Sequence, residues 1–228
     1  MISHDNQFQL ITPQVRDWDR FWKGQKTQKS DPSWSKRRIL DILQPYVRGG
    51  KKILDAGCGS GFFSKYFCDQ NMDTCSLDYS DSALQITRQV TGGRSKIIKD
   101  NMLLPNLKER VPQSFDLIFT DGLFEHFTAP DQDKLMENLL SVLNSGGALI
   151  TFVPNRWSPW ELIRPFFMPG IQERPFVLNE LVELNSRHHL TIEQKGGINT
   201  LPFSFSPDRA LGSLFGMLLY TISEKNDN

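Results

Sequence analysis

The segment Asp55-Ala56-Gly57-Cys58-Gly59-Ser60-Gly61 sets three glycines at alternate positions behind a carboxylate. Alternate glycines let the main chain turn sharply and let a ligand approach it where any Cβ would collide. Such a turn between a strand and a helix serves nucleotide-like ligands. Dinucleotide folds spell it G-x-G-x-x-G/A, with a small third residue for helix–strand packing and a pyrophosphate at the helix N-terminus. In this chain the third slot holds Phe62, far too large, and Gly61 comes one place earlier. Asp55 would face an anionic pyrophosphate awkwardly and suits a cationic ligand. A second group of reactive types, Glu125 and His126, follows the apolar run FDLIFTD. His126 offers a general base there, and packing at a helix start is the plainer role for the same residue. His188 and His189 close a helical segment, where the helix dipole accounts for them. Cys58, Cys68 and Cys75 form an odd, clustered set with no zinc-ligand spacing. A reducing compartment is expected, with Cys58 present for its size rather than its reactivity.

The elements that must position these groups alternate. Two helices are expected over Pro13–Gly24 and Pro32–Val47, the second with Ile39, Ile42, Leu43, Tyr46 and Val47 near one face. The polar stretch GQKTQKSD separates them. From Lys51 the pattern becomes strand (KKILDA), glycine turn, helix (GFFSKYFCDQN), strand (DTCSLD), helix capped by Ser80, strand (SKIIKD), strand (FDLIFTD), amphipathic helix ended by Gly146–Gly147, and strand (ALITFV). That rhythm means βαβ units and a parallel sheet covered on both faces. A Pro- and Trp-rich insertion near 155–175 interrupts it. FVLNELVELNSRHH reads as a further helix, LTIEQKG as a strand, 199–212 as a second irregular insertion, and GMLLYTISEK as the last strand.

The block ILDAGCGSGFFS resembles the first motif of the class I S-adenosylmethionine-dependent methyltransferases, D/E-x-G-x-G-x-G. CSLDYSDSAL, IIKDNMLLP, FDLIFTDGLFEHF and LLSVLNSGGALITFVPN resemble the later motifs in the same order, covering about Lys51 to Asn155. The resemblance implies a Rossmann-like, seven-stranded, mostly parallel sheet with helices on both faces and an antiparallel last strand. It implies S-adenosyl-L-methionine as cofactor, bound by Asp55, Gly57, Cys58, Gly59 and Gly61, by Asp78 with Tyr79 at the ribose, by Asp100, Asn101 and Met102 at the adenine, and by Asp121. In the quinone-pathway O-methyltransferases that this region looks like, E-x-x-E-H is implicated in metal-assisted chemistry. Gly122 stands here at the first acid, with Asp121 beside it, and no metal is expected.

Methyl transfer from a sulfonium is an in-line displacement that needs alignment and exclusion of water more than catalytic side chains. His126 is the expected base. Trp157, Trp160 and Phe166, with Phe167 and Met168, are expected to wall an apolar or aromatic small-molecule acceptor. The alternatives are an RNA methyltransferase using Lys36, Arg37 and Arg38, or an inactive cofactor-binding partner subunit. With Lys+Arg 26 against Asp+Glu 26, the chain lacks the overall basic charge of a nucleic-acid binder. At 228 residues and 39% hydrophobic content, one large domain is expected, with residues 1–50 as a helical cap on a catalytic domain over 51–228. The first residues carry no basic segment followed by an apolar run, and no apolar stretch approaches the ~20 residues of a membrane span. A cytoplasmic enzyme is expected. Oligomeric state is not legible.

Overall fold

The computed structural model describes residues 15–23, 32–111, 113–167 and 173–226. The linker 24–31 and Met168 lie outside these, as does the side chain of Phe167. Two helices come first, α1 (Val15–Lys23) and α2 (Trp34–Leu43). There follow β1 (Lys52–Ala56), α3 (Phe62–Asp69), β2 (Asp73–Asp78), α4 (Asp81–Thr91), β3 (Lys96–Lys99), a short α5 (Leu107–Arg110) and β4 (Phe115–Asp121). After a single 3-10 turn at Phe124–His126 come α6 (Ala129–Ser141), β5 (Leu143–Pro154), α7 (Trp160–Phe167), α8 (Leu178–Arg187), β6 (Leu190–Ile198), α9 (Asp208–Phe215) and β7 (Leu218–Lys225).

The strands form one seven-stranded sheet in the order β3-β2-β1-β4-β5-β7-β6. The first five pair in parallel, and β7 runs antiparallel to both β5 and β6. This is the Rossmann-like architecture expected. Strand direction of progress reverses between β1 and β4, so the crevice for a ligand opens at the carboxyl ends of β1, β2 and β4.

Alternation along the central strands splits the core in two. Ile53, Leu117, Phe119, Ile150 and Phe152 face α2 and α3 with Ile39, Leu43, Phe63 and Phe67. Their neighbours Leu54, Ile118, Leu149 and Val153 join Leu135, Leu139, Leu181 and Leu184 of α6 and α8 on the other side. Both faces of the parallel strands are therefore buried, which is why those strands read as continuous apolar runs. α2 buries Ile39 and Leu43 within this core.

Local signals account for most boundaries. Ser80 caps α4 by accepting the Ala83 N–H at 3.2 Å. α6 ends at Ser141, and Gly146 (φ +67°) and Gly147 lie inside β5, where the register with β4 jumps from Phe115↔Leu143 to Leu117↔Ala148. The expected glycine stop of that helix is thus a bulge in the following strand. Each insertion contains a helix the sequence pattern did not reveal, α7 and α9. No helix among the described residues is long and apolar enough to cross a membrane.

Gly61 is the N-cap of α3 with φ +70°, and a Cβ there would stand 2.7 Å from the Thr87 backbone and 2.6 Å from its Oγ1. Left-handed backbone costs a non-glycine residue roughly 1–2 kcal/mol and overpacking roughly 1–3 more. Gly61→Ala is expected to destabilise the fold by about 2–5 kcal/mol in denaturant melts; a loss under ~1 kcal/mol contradicts this packing of α3 on α4.

Candidate functional site

The turn after β1 is held from three sides. The Gly57 and Cys58 N–H groups donate to the Leu77 carbonyl at 2.8 and 3.1 Å, tying the loop to the end of β2. Asp78, the last residue of β2, accepts the Gly59 N–H on Oδ2 at 3.1 Å and the Ser80 N–H on Oδ1 at 2.9 Å. Thr87 of α4 donates its hydroxyl to the Gly59 carbonyl at 3.0 Å. Above the loop lies α1: Trp22 packs so closely that a Cβ on Gly59 would stand 2.6 Å from its ring. Asp19 of the same helix accepts from the Ser80 hydroxyl at 2.5 Å and the Ser82 N–H at 3.2 Å, adding a second cap to α4.

Between the loop, β4 and α1 is a cavity of about 350 Å³, within the usual range for small-molecule sites. Of the residues expected to bind the cofactor, Asp55, Gly57, Cys58, Gly59, Asp78, Tyr79, Asn101, Met102 and Asp121 line it. His126 and Trp160 line it as well. Four residues on which the sequence reading relied do not. Gly61 works below the loop, in helix packing. Asp100 turns to Arg110, whose Nε donates to both carboxylate oxygens at 3.0 and 2.8 Å, so it is not the expected adenine acceptor. Trp157 and Phe166 are 62% and 83% exposed and do not line the cavity. For Phe166 the reason is the phase of α7, in which Trp160 and Arg164, four apart, face the cavity while Leu162, Ile163 and Phe166 face outward; Trp157 lies in the turn before that helix.

Residues beyond the expected set complete the walls. Trp18, Phe21 and Trp22 share one face of α1 at i, i+3 and i+4, a spacing visible in the sequence. Lys36 of α2 reaches in with its Nζ 4.0 Å from the centre of the Phe62 ring. Glu125, Glu173 and Arg164 also line the cavity. Glu173 comes from the 155–175 insertion, which is clamped next to Glu125. The Arg174 N–H donates to the Glu125 carbonyl at 2.8 Å, and Phe176 and Pro154 share a further backbone bond at 2.9 Å. No local pattern announces a contact set by that clamp.

The acids here are kept from water. Burial pushes Asp55 up to about 7, against a hydrogen bond from the Ser64 hydroxyl and with Asp121 and Asp78 adding to the rise. Burial likewise raises Asp78, opposed by its backbone donors. It takes Asp121 to about 6, with Lys36 pulling the other way. Glu173 is pushed to about 7 by burial, with the Arg164 guanidinium opposing. Glu125 goes well above the usual carboxylate range, by burial first and then by Glu173. The Cys58 thiol is also raised by burial, which suits an inert position.

Glu125, His126 and Glu173 bring two carboxylates and an imidazole within 4.8 Å of one another. The sequence reading expected no metal because Gly122 replaces an acid; Glu173 supplies a carboxylate from elsewhere in the chain. The donor types fit a divalent cation, although Glu173 already has the Arg164 Nε at 3.4 Å. Trp18 packs edge-on against His126, ring centres 4.8 Å apart.

Residues 53–147 match the family model described as a methyltransferase domain. A ubiquinone biosynthesis O-methyltransferase from Idiomarina loihiensis is 28% identical over 121 residues, 51% of this chain and 49% of that one. The chain thus spans about half the length of the curated relatives it matches. Among solved structures, the N-methyltransferase NodS of Bradyrhizobium japonicum, in complex with S-adenosyl-L-homocysteine, aligns with TM-score 0.68 at 13% identity, over 93% of this chain and 98% of that one. A TehB-like SAM-dependent methyltransferase from Corynebacterium glutamicum aligns with TM-score 0.62 at 17% identity, over 93% and 98%. The fold is theirs.

Asp55 provides a test of the buried acids. A carboxyl raised when folded contributes stability that is full below its unfolded pKa and lost as pH rises through the folded value, here from about 4 to about 7. Asp55→Asn keeps a neutral side chain throughout. The variant is expected to match the wild type below about pH 4 and to be more stable by a few kcal/mol near pH 8. A difference in melting temperature that does not change with pH would contradict the burial of this charge.

Proposed function

From a methyltransferase domain of the class I S-adenosylmethionine-dependent kind, spanning residues 53–147, we propose an active enzyme that transfers the methyl group of S-adenosyl-L-methionine to a small, largely apolar or aromatic acceptor. The observation that carries the reading is the continuity of one cavity. The glycine loop and Asp78 form one end, and the aromatic face of α1 with Trp160 forms the other. The nucleoside end belongs beside Gly57–Gly59 and Met102, with Asp78 taking the ribose hydroxyls in charge-assisted bonds. The sulfonium is a cation, and Asp55 and Asp121 deep in the cavity favour it electrostatically. The apolar lining excludes water from the displacement, and His126 takes a proton where the acceptor must lose one. Residues 1–50 act as the cap, with α1 lying over the glycine loop through Trp22 and walling the acceptor end with its other aromatic residues.

The local chemistry favours a small acceptor over RNA. Lys36 is turned into the cavity, and Arg38 is engaged by Asp208 at 3.4 Å and by Asn199 Oδ1 at 2.8 Å. Of the basic trio, Arg37 is the exposed member. A cytoplasmic biosynthetic role agrees with this reading.

Calorimetric titration with S-adenosylhomocysteine tests it. Binding is expected, with none for NAD, because Phe62 stands where a dinucleotide site needs a small residue. Hydrogen bonds to a charged group are worth about 1.5–3 kcal/mol, so Asp78→Ala is expected to weaken binding roughly ten-fold to several hundred-fold. Binding of NAD alone, or unchanged affinity in the Ala variant, would overturn the placement of the cofactor.

A further inference from the structure

Among the described residues, the large apolar side chains that stay exposed are gathered in one place. Leu104 apart, they sit at the start of α2 or in the two segments that follow β5 and β6. Because β7 runs antiparallel to both β5 and β6, those two segments leave the sheet at the same end, the one at which the cavity opens. They are bonded to each other and to α2. Asn155 donates its side-chain N–H groups to the Leu214 and Gly216 carbonyls at 3.2 and 2.9 Å. Arg38 of α2 donates to the Leu201 carbonyl at 3.2 Å and to that of Phe203, and pairs with Asp208. Pro154, Trp160, Met217 and Leu218, from these segments and their strand ends, line the cavity, so the apolar surface adjoins it.

Neither helix in these segments commits the exposed side chains to its own packing. α9 touches the sheet by its main chain: a Cβ on Gly212, or on Gly197 of β6, would collide with the backbone of the other. Gly212 is the buried residue of that helix, and Leu211, Leu214 and Phe215 turn to solvent at a spacing of three and four. The phase of α7 does the same for Leu162, Ile163 and Phe166, the first of them 79% exposed. Trp157 and, in the loop before α9, Phe203 and Phe205 add exposed rings. The exposed charges on these segments are of one sign. Arg37, Arg156 and Arg209 are exposed, and of these Arg156 alone has an ion-pair partner among the described residues, Glu180. The two acids, Glu161 and Asp208, are drawn inward on Arg164 and Arg38.

We propose that this face docks the protein on the surface of a bilayer containing anionic phospholipids. The Phe, Leu and Ile side chains enter the boundary between headgroups and acyl chains. Trp34 and Trp157 sit at headgroup level, where indole is favoured, and Arg37 and Arg209 meet the lipid phosphates. Charge decides against a second copy of the chain, because a two-fold pairing sets a patch on itself and would bring arginines together with no exposed acid to receive them. Shape decides against a protein partner. Two short helices and a loop present separate protruding side chains, which a fluid surface accepts without the close complementarity of a protein interface. No helix among the described residues is long and apolar enough to cross a bilayer, so the contact is peripheral. Docking goes beyond the methyltransferase reading and bears on it: an apolar acceptor partitions into the same bilayer and meets the protein at the end where the cavity opens.

Flotation with vesicles tests this, using phosphatidylcholine alone and an equal mixture of phosphatidylcholine and phosphatidylglycerol. The wild type is expected to bind the mixed vesicles about ten-fold or more tightly than the neutral ones. Leu162→Ser with Phe166→Ser, and Phe203→Ser with Phe205→Ser, are each expected to lose about ten-fold or more of that binding. Arg37→Glu with Arg209→Glu is expected to lose the preference for the anionic vesicles. Leu104→Ser, exposed in the turn after β3 at the opposite edge of the sheet, is expected to bind as the wild type does. All these side chains are exposed, so melting temperatures and the S-adenosylhomocysteine titration are expected to stay at wild-type values. No binding of wild type to the mixed vesicles, variants that bind as well as wild type, or an equal loss with Leu104→Ser would each overturn the proposal. Dimers in light scattering that Leu162→Ser with Phe166→Ser dissociates, without vesicle binding, would overturn it in favour of a second copy. Vesicle binding by a wild type that does not take up S-adenosylhomocysteine would leave docking in place and remove the methyltransferase reading instead.

Discussion

Keeping several carboxylates out of water in one crevice is the constraint around which this molecule is arranged. A buried, unpaired carboxylate is among the costliest groups a fold can hold, and it either gains donors or takes up a proton. The sheet answers this at each strand end in a different way. Asp78 takes two backbone N–H groups from the glycine loop and the start of α4. Asp55 takes a 2.5 Å bond from Ser64, which in turn accepts from Ser76, a relay buried within β1, α3 and β2. Asp121 has the Lys36 ammonium. Glu125 is answered by the proton: burial raises it well above the usual carboxylate range, and its Oε2 has no hydrogen-bond partner among the described residues.

How much of this was legible follows from the range over which each signal acts. The strands and their order of use were plain because buried parallel strands read as apolar runs and because capping by Ser80 is local. The glycine loop and Asp78 were legible for the same reason: their roles depend on residues within one βαβ unit. Asp100 was misread because the strand-end position alone does not say which way a side chain turns, and Arg110, ten residues on, captures it. Phe166 was misread because composition identifies an aromatic segment without its helical phase, and Trp157 because it falls in the exposed turn before α7. Once α7 forms, Trp160 and Arg164 take the inner face and the other apolar residues are turned out.

Glu173 was the least legible member of the site. Its position depends on a backbone clamp between segments some fifty residues apart: the Arg174 N–H on the Glu125 carbonyl and the short bridge Asn155↔Phe176. Neither bond leaves a mark in the side-chain sequence, because both use main-chain atoms. The absent acid at Gly122 suggested a site without a second carboxylate there, whereas the fold supplies one from a distant loop.

The two halves of the cavity are thus built by different means, and the difference bears on specificity. The end at the glycine loop is made of main-chain atoms and strand-end acids, fixed by the hydrogen bonds that tie the loop to β2 and α4. A change there disturbs the sheet. The other end is made by α1, α7 and the residues from Glu173 to Phe176, which lie outside the strand order and are attached by Asp19 on the α4 N-terminus for one, and by the Glu125 clamp with Asn155 for the other. Neither attachment is independent of the fold: the second puts Phe176 into the core, and α1 lays Trp22 against Gly59. Trp18, Trp160 and Glu173 therefore reach the cavity from the two attachments rather than from the strand ends.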